Sequence, residues 1–214
     1  MERVYVGPFV PLMQALMPRR TLLRDVMLIL GGSWFVAAMA QVAIPLPFTP
    51  VPITGQTLGV VLVGATLGSR LGGLSLLTYL AQALVGLPFF SRGGSGWSHL
   101  TGATGGYLVA FLLAAVLMGW MVERWGCDRN PLKMAGAMLL TSALTLSLGS
   151  LWLGIWLGMA GNFVGVGDVL MLGMIPFIPG DLVKNLLASS LLPLSWRAIN
   201  RPVSRAKKPE GDQD

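Results

Sequence analysis

An aspartate and a lysine three positions apart, Asp181 and Lys184, stand inside a long apolar stretch of this chain. On a helix, residues at i and i+3 share a face, so a carboxylate and an ammonium at this spacing meet. Placing either charge in a bilayer costs about 2.5–3.5 kcal/mol on insertion scales. A buried ion pair is often no more stabilising than apolar residues of the same volume. The pair therefore reads as part of a ligand site, with an internal ion pair as the blander alternative. Asn185 adds an amide able to hydrogen-bond a ligand or a neighbouring helix.

Other candidates lie in and next to two unusual loops. The first, Pro45-Leu-Pro-Phe-Thr-Pro-Val-Pro52, is held extended and stiff by its prolines. Gln56 follows it; interhelical hydrogen bonding is the default reading of a glutamine at a span, but its place beside this loop could also let it face a site. The second runs from Gly86 to Ala103 and mixes Phe89, Phe90 and Trp97 with glycines, Arg92 and His99. It is too apolar for simple solvation and reads as a lid rather than an interfacial anchor. It leads into Thr104-Gly105-Gly106-Tyr107, where glycines at a helix start either expose N–H groups to a ligand or allow close helix packing. Asp168, near another helix start, reads as an ordinary N-terminal acid.

The elements that must carry these residues are membrane helices. Of 214 residues, 54% are hydrophobic and only 11% charged, against about 25% charged in soluble domains; mean hydropathy is +0.70. Disorder is excluded by the same numbers. With a span taking about 20 residues, the apolar segments are Val26–Ile44, Gln56–Ser69, Leu71–Leu87, Gly105–Val122, Pro131–Met159 and Val169–Ile199. The second is short and expected to be tilted or partly unwound. The last is expected to break near Pro176–Gly180, because proline removes a backbone donor. Residues 1–24 read as a cytoplasmic or interfacial segment, 25–199 as the membrane domain and 200–214 as a charged tail.

Charge sets the topology. With the N-terminus inside, Arg3, Arg19, Arg20, Arg24, Arg70, Arg124, Arg129, Lys133 and the basic residues from Arg197 onward collect on the cytoplasmic side, leaving Arg92 outside. The expected fold is thus an all-α membrane protein with six transmembrane helices and both termini cytoplasmic. The net charge of +6 is topology, not a nucleic-acid stripe.

Several functions are excluded by stock. One histidine and one cysteine cannot assemble a metal cluster. No phosphate-binding Gly-Lys-Ser/Thr loop is present, so the chain does not hydrolyse ATP in that manner. A serine protease needs a histidine facing its serine within the membrane, whereas His99 lies in an outer loop. Neither a channel filter nor an inverted repeat stands out. A small binding protein with its site at the outer face remains. Ser33, Ala37 and Ala40 form a small-residue row on the first span, suited equally to internal packing and to docking a partner.

Three motifs in this order, Pro50-Val-Pro-Ile-Thr-Gly-Gln-Thr57, Gly102-Ala-Thr-Gly-Gly-Tyr-Leu108 and Pro179-Gly-Asp-Leu-Val-Lys184, resemble the BioY family, the biotin-binding S components of energy-coupling factor (ECF) transporters. The resemblance runs from about Asp25 to about Pro193. It departs at Ala103, often proline in the family, at Ala110, often glycine, and at Gly55, often leucine. It implies a six-helix S-component fold in the plasma membrane, no enzyme activity and no cofactor. It also implies capture of biotin from outside, and partnership with a transmembrane coupling protein and two ABC-type ATPases. The row Ser33, Ala37, Ala40 lies where the family docks its coupling protein. The alternatives are an S component for another vitamin, or a membrane enzyme or structural bundle. For biotin, Asp181 would accept from a ureido N–H, Lys184 would donate to a ligand oxygen and Arg92 would meet the carboxylate, with the reversed orientation of the ligand as the alternative. Phe89, Phe90, Trp97 and Tyr107 would wall the apolar ring, beside Gln56, Thr104, Gly105, Gly106 and Asn185.

Overall fold

The computed structural model describes residues 9–162 and 164–199. Arg3 and the tail from residue 200 lie outside the described residues. Chain order is a short helix α1 (Leu12–Leu16), α2 (Leu22–Gln41), a two-residue antiparallel pair β1 (Ala43–Ile44) and β2 (Ile53–Thr54), then α3 (Gln56–Leu84). After these come α4 (Trp97–Leu100), α5 (Gly105–Trp125), α6 (Pro131–Met159), α7 (Val166–Gly173) and α8 (Ile178–Ile199). By length and composition, five helical stretches are apolar enough to cross a membrane, α7 and α8 being taken together as Val166–Ile199.

Local chemistry sets the helix starts. The Thr21 hydroxyl accepts from Arg24 N–H (3.2 Å) and caps α2. Asn130 accepts from Leu132 and Lys133 N–H (2.9 and 3.2 Å) ahead of Pro131, which suits a first helical turn. The expected break in the last segment occurs at a turn over Ile175–Phe177, and Pro179 sits in the first turn of α8, where its missing N–H loses nothing.

The run called α3 is two helices. At Gly68 the backbone takes φ 87°, ψ 176°, which is not helical. The Gln56 side chain donates to the Tyr79 hydroxyl at 2.7 Å, whereas a straight helix would hold these residues roughly 34 Å apart. Gly72 likewise lies against Gly64, the position symmetric about the turn. The arms 56–67 and 69–84 therefore form a tight hairpin, and the first is helical up to its turn rather than partly unwound. Glu123 on α5 caps the returning arm, accepting from Ser69 N–H (3.1 Å) and Ser69 hydroxyl (2.7 Å).

Polarity is arranged for lipid. Leu22, Met27 and Trp34 on α2, Leu132 and Leu151 on α6, and Val183 and Leu186 on α8 are exposed, while Gln56, Asp181 and Thr145 are buried. Exposed apolar faces of this extent mark a surface meant for acyl chains or partners.

The small-residue row does not form an outer surface. Ser33, Ala37 and Ala40 are all buried within the chain, and Ser33 donates to Gln82 on the α3 hairpin (3.0 Å). The physical reason is helix packing: small side chains let α2 approach α3 closely. A bulky substitution such as Ala37→Trp would disrupt this packing rather than an external docking face.

Candidate functional site

One end of the bundle holds a cavity of about 520 Å³, within the range of small-molecule sites. The proline-rich loop, the start of the α3 hairpin, the 90–103 loop, α5, α6 and α8 all contribute to it. Of the residues singled out from sequence, Gln56, Phe90, Arg92, Thr104, Tyr107, Asp181 and Lys184 line it together.

The polar floor comes from α3 and α8. Lys184 Nζ donates to Asp181 Oδ1 at 3.0 Å and to Thr57 Oγ1 at 2.7 Å, and Thr57 in turn donates to Asp181 Oδ1 at 3.3 Å. Asp181 and Lys184 side chains are 8% and 14% exposed. Asp181 Oδ2 is buried and has no hydrogen-bond partner. A buried acceptor left unmatched costs about 1–3 kcal/mol, and none of the described residues supplies this oxygen with a donor. Thr57 ends the first of the three sequence motifs but is not singled out there as a site residue; the packing of the first α3 arm against α8 gives it a role. Thr57→Val is expected to loosen the Lys184 ammonium and lower thermal stability by about 1 kcal/mol, while Thr57→Ser should behave as the parent, as read by melting in detergent.

Other polar groups are already committed. Gln56 donates to Tyr79 and accepts from the Thr54 hydroxyl (3.1 Å). The Tyr107 hydroxyl donates to the Gly173 carbonyl, leaving its ring for the cavity wall. Phe111, Leu146 and Phe177 complete the apolar lining, and none of them stood out from other apolar residues in the sequence.

The 86–103 loop lies over the cavity and is tied down at both ends. Gln41, at the end of α2, donates to the Pro88 and Phe90 carbonyls (both 3.3 Å) and accepts from Gly93 N–H (3.0 Å). Trp152 on α6 donates to the Gly102 carbonyl (2.8 Å). At the tip, Arg92 is the non-glycine residue with positive φ (59°) among the described residues. Such strain gathers at ligand clamps. Gln41→Leu removes the α2 tie; cleavage by trypsin after Arg92 should accelerate several-fold with the melting temperature little changed, a local rather than global loosening.

The remaining sequence candidates sit elsewhere. Phe89 stacks on Tyr79 (6.5 Å) and meets Trp34 edge-on (6.4 Å), outside the lining. Trp97 is 66% exposed. Asn185 donates to the Ala135 carbonyl (3.1 Å) and joins α8 to α6. Gly106 lies against Trp152 and permits close packing of α5 on α6, while Gly105 lies against the Leu100 carbonyl at the end of α4, where a Cβ would collide with backbone.

Comparison with known proteins follows the same outline. The BioY family model matches residues 13–201. The chain is 41% identical over 170 residues to the biotin transporter BioY of Rhodobacter capsulatus, covering 75% of this chain and 87% of that one. It is 38% identical over 152 residues to the probable biotin transporter BioY of Methanothermobacter thermautotrophicus, covering 70% and 91%. Among solved structures it resembles the S component for biotin from an ECF-type ABC transporter, with a TM-score of 0.73, 25% identity, and coverage of 84% of this chain and 95% of that one. These relatives are transporters, not enzymes, and the chain belongs to the BioY family.

Proposed function

We propose that this chain captures biotin at the outer face of the plasma membrane and delivers it for uptake as the substrate-specific component of an ECF-type transporter. The observation that carries the reading is the hydrogen-bonded Asp181–Lys184–Thr57 group, with one carboxylate oxygen left unmatched, in the lining of a cavity of suitable size. Biotin's ureido ring supplies N–H donors and a carbonyl oxygen. Its carboxylate has no donor to offer Asp181 and is repelled by it. The ureido end therefore suits the Asp181–Lys184–Thr57 floor, and the carboxylate suits Arg92 on the lid. Tyr107, Phe90 and Phe177 surround the apolar thioether ring.

In this reading the chain crosses the membrane six times, because α3 doubles back at Gly68, and both termini are cytoplasmic, as the distribution of basic residues favours. Energy comes from separate subunits, a coupling protein and two ABC-type ATPases. Uptake into liposomes that hold the chain without them should not respond to ATP.

The test is equilibrium binding to the purified full chain at pH 7.5. Saturable sub-micromolar binding of biotin, with no binding of other vitamins, is the expected result; preference for another vitamin overturns it. Biotin methyl ester should bind about tenfold more weakly than biotin, a difference of about 1.4 kcal/mol. Arg92→Gln should bind acid and ester equally. An Arg92→Gln protein that still prefers the acid would place the carboxylate elsewhere.

A further inference from the structure

His99 is the chain's single histidine, and its imidazole lines the cavity. The ring is held in place. It stacks on Phe90 at 5.8 Å with an interplanar angle of 23°, and Phe90 is itself 1% exposed. Gly94 lies so close that a Cβ there would fall on the imidazole. The loop from Phe90 to Gly94 is closed by a hydrogen bond from Phe90 N–H to the Gly94 carbonyl (2.9 Å) and carries Arg92 at its tip. The lid thus contributes two nitrogenous side chains, Arg92 and His99, to the cavity lining.

We propose that His99 is a second, acid-activated contact for the ligand carboxylate: protonated, it joins Arg92 in holding the anion, so that capture tightens as the outside medium acidifies. This rests on the biotin reading of the same cavity. The other charged groups facing the cavity are Arg92 from the lid and the mutually paired Asp181 and Lys184 from α8. The facing side chains of α3, α5 and α6, such as Gln56, Thr57, Thr104 and Thr145, carry no charge.

The sign follows from ordinary chemistry. Imidazoles generally change charge near pH 6.5 and carboxylic acids near pH 4.3. Between pH 7.5 and 5.5 the ligand stays anionic while a histidine gains a proton. A positive charge brought to the anion favours the complex, so affinity rises as pH falls through this window.

The experiment is biotin affinity of the full chain at pH 7.5 and 5.5, repeated with biotin methyl ester. The parent should bind biotin about tenfold more tightly at pH 5.5, the size of a charge pair partly screened by water, and should bind the ester equally at both. His99→Phe, which keeps the ring stack, and His99→Gln should lose the pH dependence for biotin. Equal dependence in parent and variants, or dependence that persists with the ester, overturns the proposal while leaving the biotin reading intact. Absence of biotin binding at either pH overturns both. The ester arm uses the parent protein, so it decides even where a variant folds poorly.

Discussion

Asp181→Asn is expected to weaken biotin binding at least tenfold, about 1.4 kcal/mol. The amide has no good orientation. With its nitrogen at the Oδ2 position it points a donor at the ligand's N–H; with its nitrogen at the Oδ1 position it points a donor at the Lys184 ammonium, now 3.0 Å away. In both cases Lys184, 14% exposed on its side chain, loses its counter-charge, and breaking a buried pair this way typically costs about 3–5 kcal/mol of stability. Lys184→Met strands Asp181 in the same sense and should also weaken binding. The double variant Asp181→Asn with Lys184→Met leaves no lone charge and should recover most of the lost melting temperature without recovering binding. A double variant that binds biotin like the parent would make the pair purely structural.

Gly68→Val should lower the melting temperature by about 10 °C. The region at φ 87°, ψ 176° is essentially restricted to glycine, so any side chain there costs about 1–3 kcal/mol from backbone strain alone. A Cβ would also collide with Glu123 Oε1 and approach Pro11 Cγ to 2.8 Å. Displacing Glu123 removes the cap on Ser69 as well. A total of about 3 kcal/mol, at 2–4 °C per kcal/mol for a chain of this size, gives the expected shift. Gly31→Ala is the control, because nothing lies within 4 Å of the added carbon; its melting temperature should not fall. Equal behaviour of Gly68→Val and Gly31→Ala would mean the hairpin tolerates an ordinary turn residue.

Position in the fold was legible in the sequence where one feature has one cheap explanation. An acid and a base in an apolar run have few structural excuses, and Asp181 and Lys184 do face one cavity. Prolines at 176 and 179 located the break between α7 and α8 to within a few residues. It was not legible where two structures share one pattern. Glycines at 105 and 106 suit a ligand or close packing equally, and the deciding neighbours, the Leu100 carbonyl and Trp152, lie on other helices. Ser33, Ala37 and Ala40 could have faced in or out, because α2 is apolar on both faces when lipid replaces water, so periodicity does not choose. The turn between the segments ending at Ser69 and starting at Leu71 was legible, but the capping of Ser69 by Glu123 depends on a contact between helices that no local pattern reports.

The short first arm of the α3 hairpin fixes a transport distance. Thr57, which holds the charged floor of the cavity, is eleven residues from the turn at Gly68, or about 17 Å of helix. The hydrocarbon core is about 30 Å thick. In the proposed orientation the turn faces the cytoplasm, so the captured molecule already rests near mid-depth. Entry through the open mouth accounts for roughly half the passage, with water behind the ligand. In the proposed reading, the stroke left for ATP to drive through separate subunits would cover only the remaining half.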